Sequence, residues 1–273
     1  MTKLSYLNVG CGSKYKKNWY NIDLQSHSPD VIENNLLKGL PFKDNMFEVV
    51  YHSQVIEHIA KENVDFFIKE CFRVLKPGGI LRIVTPDLED IAREYIKLLE
   101  MNTHEKSDVN RANYEWVLLE LLDQTVRNKS GGNMAIFLNS QTDENVQYAL
   151  DRIGYVGTSI RKEKNKPQST SSILSRVKFH LSTRQLRIRF LKIVLTKEEF
   201  KKFEIGNFRL AGEIHYWLYD KLSLKELLQK NDFKNVIKTT SSSSRIPDWP
   251  TFELDEKNGV PYDPKSLFME ATK

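Results

Sequence analysis

Cysteine is scarce in this chain, with two among 273 residues: Cys11 lies in a glycine turn and Cys71 in an apolar helical pattern. Two thiols make no disulfide framework, and neither spacing is that of a metal site, so metal ligands are expected nowhere in the chain. A reduced, cytoplasmic protein is the expectation. No stretch reaches the 18 apolar residues of a membrane span, and no apolar run near the start suggests a signal peptide. Charge of one sign is not in large excess, the net being +5. It is unevenly spread, however, because residues 158–202 hold thirteen Lys/Arg against three Glu. Such a basic segment points to an anionic partner or to peripheral contact with the inner face of a membrane. No DNA- or RNA-binding module accompanies it, so a nucleic-acid partner is not expected. No internal repeat is visible.

What the sequence does carry begins at Leu7-Asn8-Val9-Gly10-Cys11-Gly12-Ser13 and is answered by Asn21-Ile22-Asp23-Leu24. Glycine lets a chain turn sharply and pass against a ligand with no side chain in the way. An acid at the end of the next short apolar run can bind a ribose diol. The pairing therefore predicts a nucleoside-cofactor site. A nicotinamide site would need a third glycine at Tyr15 and a long helix after it, and a phosphate loop would need a Gly-Lys-Ser/Thr ending; both are missing. Only eleven residues separate Gly12 from Asp23, so the first crossover helix must be absent or reduced to a turn.

Strand and helix signals alternate over residues 4–87, with strands at Leu4–Val9, Tyr20–Leu24, Phe47–Tyr51 and Ile80–Val84, and a helix at Asn63–Leu75. Lys76-Pro77-Gly78-Gly79 is expected to end that helix. Further helices are predicted at Leu88–Leu99, capped by Asp87, at Arg111–Arg127 and at Ser223–Lys230. Closing strands are expected at Phe233–Thr239 and Ser266–Lys273, and the polar run 158–172 is expected to be a mobile loop. The predicted fold is α/β: a Rossmann-like, parallel-rich sheet flanked by helices, with ligands at the strand C-termini. The core is expected to comprise residues 1–90 and 205–273, with a mainly helical cap over 91–204.

Five elements in register resemble class I S-adenosylmethionine-dependent methyltransferases, and more narrowly a bacterial group associated with polysaccharide biosynthesis. They are Leu7–Gly12, Asn21–Leu24, Leu40–Phe47, Val55-Ile56-Glu57-His58-Ile59 and Arg73–Gly79. The resemblance implies the class I fold and S-adenosyl-L-methionine as cofactor. Carried over, Asn8, Gly10, Cys11 and Gly12 would cradle its methionine part, Asp23 and Leu24 its ribose, and Asn35 and Leu36 its adenine. Ser53 would face the methyl group. Asn8 and Asn35 stand where relatives have acids, and Lys14 where a third glycine is common.

Methyl transfer to a hydroxyl or amine needs a base, and histidine suits this near neutral pH. His58, beside Glu57 at the expected start of the helix after the Ser53 strand, is one candidate; His215 is the other, and His52 an alternative. Gln124 and Arg127, three apart on one helical face, would bind the acceptor, Arg127 through a phosphate or carboxylate. Tyr95 is a candidate for stacking on it. Each of these residues also fits a plainer role in bracing the cap or core. The expected activity is methylation of oxygen or nitrogen in a small molecule or glycan, such as a nucleotide- or lipid-linked sugar. A quinone-like lipid acceptor, or a cofactor-binding regulatory protein without turnover, are the alternatives.

Overall fold

The computed structural model describes residues 4–26, 28–105, 107–164 and 183–273. Seven strands form one sheet in the order β3-β2-β1-β4-β5-β9-β6. They are β1 (Tyr6–Val9), β2 (Tyr20–Asp23), β3 (Ile32–Glu33), β4 (Phe47–Ser53), β5 (Leu75–Pro86), β6 (Lys234–Lys238) and β9 (Ser266–Thr272). A separate two-stranded hairpin joins β7 (Glu256–Lys257) to β8 (Val260–Pro261). β1 through β5 pair in parallel, whereas β9 runs antiparallel to both β5 and β6. This is the Rossmann-like, parallel-rich sheet the sequence predicts. The strands read as near-continuous apolar runs because both faces are covered.

One face is covered by helices α1 (Val64–Val74) and α8 (Lys221–Lys230), which bury Phe67, Ile68, Cys71, Leu224 and Leu228 against Leu7, Val50, Leu81 and Ile83. No helix joins β1 to β2, as the short spacing requires. On the opposite face the cover is aromatic: Trp19, Trp249 and Phe252 pack on Tyr6, Val49, Tyr51, Val84 and Phe268. A buried Arg82 on β5 fixes this layer. Its guanidinium meets the carboxylates of Asp255 and Glu270, each at 2.7 Å, and stacks over Trp249 at 4.6 Å.

Between β5 and α8 lie α2 (Leu88–His104), α3 (Asp108–Val126), α4 (Gly132–Ser140), α5 (Asp143–Lys164), α6 (Thr183–Val194) and α7 (Lys197–Arg209). The first four share a core of Ile91, Leu98, Trp116, Val117, Phe137, Leu138 and Val146. Asp87 caps α2 as expected, accepting from the Glu89 amide at 3.1 Å. Asp123 caps α4, accepting from the Asn133 amide at 2.8 Å.

Three expectations need correction. Lys76–Gly79 does not merely end α1; the strand β5 starts at Leu75 and runs through all four residues. Residues 158–164 continue helix α5 rather than forming a loop, while 165–182 lie outside the described residues. Glu57 and His58 sit on a short 3-10 turn, Ile56–His58, and the helix begins later, at Val64.

Candidate active site

The C-terminal ends of β1, β4 and β5 open onto a cavity of about 400 Å3 lined by Asn8, Gly10 through Lys14, Tyr51, Ser53, Gln54, Val84, Asp255 and Asp263. The turn that shapes it needs its glycines. Gly10 and Gly12 take φ values of +64° and +52°, and a Cβ on Gly10 would lie 2.5 Å from Val55 Cγ2. Side chains hold the turn in place: Asn8 Nδ2 donates to the Lys14 carbonyl at 3.0 Å, and the Gly12 amide donates to Asp23 at 2.8 Å. Burial and the neighbouring Asp23 push the Cys11 thiol up to about 12, which favours its neutral form.

Asp23 closes the β2 end, accepting from the amides of Gly12 and Gln25. Leu24 beside it is exposed, as is Asn35, and Leu36 is half-buried. Asn35 caps its own turn, accepting from the Leu37 amide at 3.0 Å. Asp23, Leu24, Asn35 and Leu36, expected at the ribose and adenine, are not among the residues that line this cavity; Asp23 reaches it only through its bond to the Gly12 amide. Within the cavity, Asp263 and Lys14 offer one carboxylate and one ammonium; burial raises the first and lowers the second from their ordinary values. That charge pair matches the amino-acid end of S-adenosylmethionine, and the donor set fits this cofactor.

A second cavity of about 300 Å3 adjoins the first, and Gln54 and Asp263 belong to the walls of both. His58, Gln124, Arg127 and His215, separated by up to 157 positions in sequence, all line it, with Ile91, Met134, Leu138 and Ile153 as the apolar part. The His58 and His215 rings meet edge to face, centroids 4.7 Å apart. His58 Nδ1 donates to the Ile214 carbonyl at 2.9 Å, which leaves Nε2 as the basic nitrogen. His215 Nε2 meets the Gln124 amide at 2.9 Å. Burial lowers both histidines, His215 to about 2, helped by His58 and Arg127. Arg127 pairs with Glu213 at 3.3 Å, while its buried Nε has no partner.

Glu57 is fully buried behind the histidines. Its Oε2 accepts from Thr85 Oγ1 at 3.0 Å, its Oε1 has no partner, and burial pushes its carboxyl up to about 8. Two expectations fail. Tyr95 lines neither cavity and stacks on Tyr114 between α2 and α3, centroids 5.9 Å apart. His52 is fully buried in β4 against Phe67 and cannot meet an acceptor.

Two residues of the site, Asp255 and Asp263, carried no sequence signal, and for Gln54 only its backbone beside Ser53 is expected at the strand end. Gln54 takes φ +56°, a left-handed conformation uncommon outside glycine, and its Nε2 donates to Ser266 Oγ at 3.0 Å. Asp255 and Asp263 come from the hairpin region more than 200 positions beyond the glycine turn. That region also reaches the helical layer. α5 kinks at Gly154 (φ +53°), which admits the Tyr262 carbonyl to accept from the Tyr155 amide at 3.0 Å.

The glycine turn at the C-terminal ends of the parallel strands, with a cavity under it and a second cavity beside it, defines the class: a Rossmann-like domain with its ligand site at the strand ends. Comparison with known proteins narrows it. Residues 7–83 match the family described as a methyltransferase domain, which implies S-adenosylmethionine as the cofactor. A probable S-adenosylmethionine-dependent methyltransferase of Mycolicibacterium smegmatis is 43% identical over 58 residues, 21% of each chain. A ubiquinone biosynthesis O-methyltransferase of Pelagibacter ubique is 31% identical over 98 residues, 33% of this chain and 36% of the relative. The matches thus span about a fifth to a third of these relatives. A Thermotoga maritima methyltransferase structure, titled a possible histamine N-methyltransferase, aligns over 98% of this chain and 81% of its own, at 12% identity and TM-score 0.38.

Proposed function

We propose that this protein is an S-adenosylmethionine-dependent methyltransferase that methylates oxygen or nitrogen of a small acceptor held in the second cavity. The observation that carries this reading is the shared wall: Gln54 and Asp263 border both the chamber under the glycine turn and the chamber of His58 and His215. The bound cofactor supplies a methyl group already activated on a sulfonium. Gly10, Cys11 and Gly12 bring backbone against its methionine part, with Asn8 holding the turn. Asp23 accepts from the ribose hydroxyls, Leu24, Asn35 and Leu36 border the adenine, and Ser53 ends the strand on the methyl side. With the cofactor bound, an acceptor oxygen or nitrogen would take its methyl group, the leaving sulfur keeping the bond's electron pair, and His58 would take the acceptor's proton. His58, with Nδ1 held by the Ile214 carbonyl and Nε2 offered to the cavity, is the candidate base; burial makes His215 too weakly basic for that task, and its Nε2 is engaged by Gln124. Gln124 orients His215, and Arg127 anchors an anionic group of the acceptor.

Two acceptor classes fit that lining. A nucleotide- or lipid-linked sugar would set its phosphate against Arg127. A quinone-like acceptor would use the apolar wall of Ile91, Met134, Leu138 and Ile153, a reading favoured by the ubiquinone O-methyltransferase relatives. Peripheral membrane contact belongs to the same proposal: on α6, exposed Leu186, Phe190 and Ile193 interleave with Arg187, Arg189 and Lys192. Among the described residues no helix is long and apolar enough to cross a membrane. The test is calorimetry with S-adenosylhomocysteine followed by a radiolabelled methyl-transfer screen of both acceptor classes. Absence of binding overturns the reading, and binding with no turnover on any acceptor favours a regulatory protein. Equal flotation on anionic liposomes of the intact chain and one with Leu186, Phe190 and Ile193 changed to serine defeats the membrane contact.

A further inference from the structure

Glu57, His58 and His215 do more than crowd the inner wall of the acceptor cavity. One carboxylate oxygen and one ring nitrogen from each histidine lie within 4.8 Å of one another. A lone carboxylate among apolar neighbours would explain little. Here two imidazoles converge on it, and each is held by a further polar contact: His58 by the Ile214 carbonyl, His215 by the Gln124 amide. Metal-binding histidines are oriented as His58 is, donating the second ring N–H to a carbonyl; His215 would be held alike once the Gln124 amide turns its oxygen, rather than its nitrogen, to Nε2. Glu57 is held likewise by Thr85, and its other oxygen is wholly buried with no donor at all. A buried acceptor left unmet costs about 1–3 kcal/mol, more when charged, so that oxygen is placed for a partner the protein chain does not provide.

We propose that Glu57, His58 and His215 bind a single divalent transition-metal cation at the wall of the acceptor cavity. Two nitrogens and one oxygen are a donor set for zinc, cobalt or iron(II) rather than for calcium or magnesium, which take oxygen almost alone. Three protein ligands leave further positions open, the pattern of a catalytic rather than a structural site. His58 and His215 line the cavity and Glu57 lies behind them, so the open positions face the acceptor. The cations on the same cavity are turned to other carboxylates: Arg127 to Glu213 at 3.3 Å, Arg152 to Glu120 at 2.7 Å and Lys265 to Asp90 at 3.9 Å. An acceptor hydroxyl on the metal would lose its proton to solvent at lower pH, and its oxygen would then take the methyl group. In that state the imidazoles are ligands and the metal, not a histidine, lowers the barrier to proton loss. This last role rests on the methyl-transfer reading; the binding of the cation does not.

The test uses the untagged full-length chain, stripped with chelator and titrated with Co2+ by calorimetry and visible absorption. One Co2+ per chain is expected, with ligand-field bands of a mixed nitrogen–oxygen site. Glu57→Gln, which keeps the shape of the buried carboxyl, and His215→Asn should each weaken binding at least tenfold, while His52→Leu should not. Circular dichroism and S-adenosylhomocysteine binding on the same samples report folding. Failure of the wild-type chain to bind Co2+, or binding by a folded Glu57→Gln chain equal to wild type, overturns the proposal. If S-adenosylhomocysteine still binds in that case, the methyltransferase reading stands without the metal. If Co2+ binds and S-adenosylhomocysteine does not, the metal site stands and the methyltransferase reading falls.

Discussion

Replacing His52 by leucine should make this protein more resistant to acid without harming it at neutral pH. The imidazole is fully buried in β4, its ring centroid 5.3 Å from that of Phe67, and neither nitrogen has a hydrogen-bond partner. Burial alone lowers it from 6.5 to about 3. The folded chain therefore keeps the ring neutral while the unfolded chain takes up a proton as pH falls below 6.5. The sign follows directly: the group's contribution is intact above 6.5 and is lost progressively as pH drops towards 3. Between pH 7 and pH 5 the loss is about 2 kcal/mol, since each pH unit below the unfolded value is worth about 1.4 kcal/mol. Leucine carries no such linkage. At pH 7 it also removes two unmet polar atoms, each costing about 1–3 kcal/mol, against a repacking cost of under about 1.5 kcal/mol. Urea unfolding of both chains at pH 7 and pH 5 measures this. The variant should match or exceed wild type at pH 7, and its advantage should grow by about 2 kcal/mol at pH 5. The same stability difference at both pH values would refute the reasoning, because His58 and His215 titrate in both chains alike.

Gly10→Ala puts a side chain at φ +64° and 2.5 Å from Val55 Cγ2, so calorimetry should show S-adenosylhomocysteine binding lost or weakened more than tenfold. Asp23→Ala removes the acceptor of the Gly12 amide and the acid on the ribose side; affinity for S-adenosylhomocysteine should fall about tenfold or more, consistent with loss of a charged hydrogen bond. Its melting temperature without ligand should change little, since the carboxylate is only half-buried. Arg82→Met leaves Asp255 buried without its cation, and Glu270 with Arg245 alone, and should cost about 3–5 kcal/mol, read as a lower urea midpoint.

The sheet was legible because its signals are local. Alternation of apolar runs with Gly10, Gly12 and Asp23 fixes the order of the first strands, and the eleven-residue gap correctly removes the first crossover helix. The cavity under that turn was legible for the same reason. Its other wall was not. Asp255 and Asp263 carry no motif, and they reach the site only because Arg82 and Tyr51 bind Asp255 across the sheet. Aromatic spacing misled at Tyr95, since one helical period serves a seam between helices as well as a cleft. Proline and glycines at Pro77–Gly79 read as a stop, yet the strand passes through them, with Lys273 donating its amide to the Gly79 carbonyl at 2.9 Å. His58, Gln124, Arg127 and His215 were each plausible alone; only the fold could bring them to one chamber.

The Gln54 backbone is wound in a conformation that only glycine adopts at no cost, and its side chain forms part of the partition between the two chambers. A ligand in the first chamber that displaced Gln54 would break the Gln54–Ser266 contact and alter the wall of the second, and by linkage the effect would be mutual. The two ligands should accordingly bind with unequal affinity alone and together. The order in which products leave would be decided at this residue rather than at either chamber's mouth.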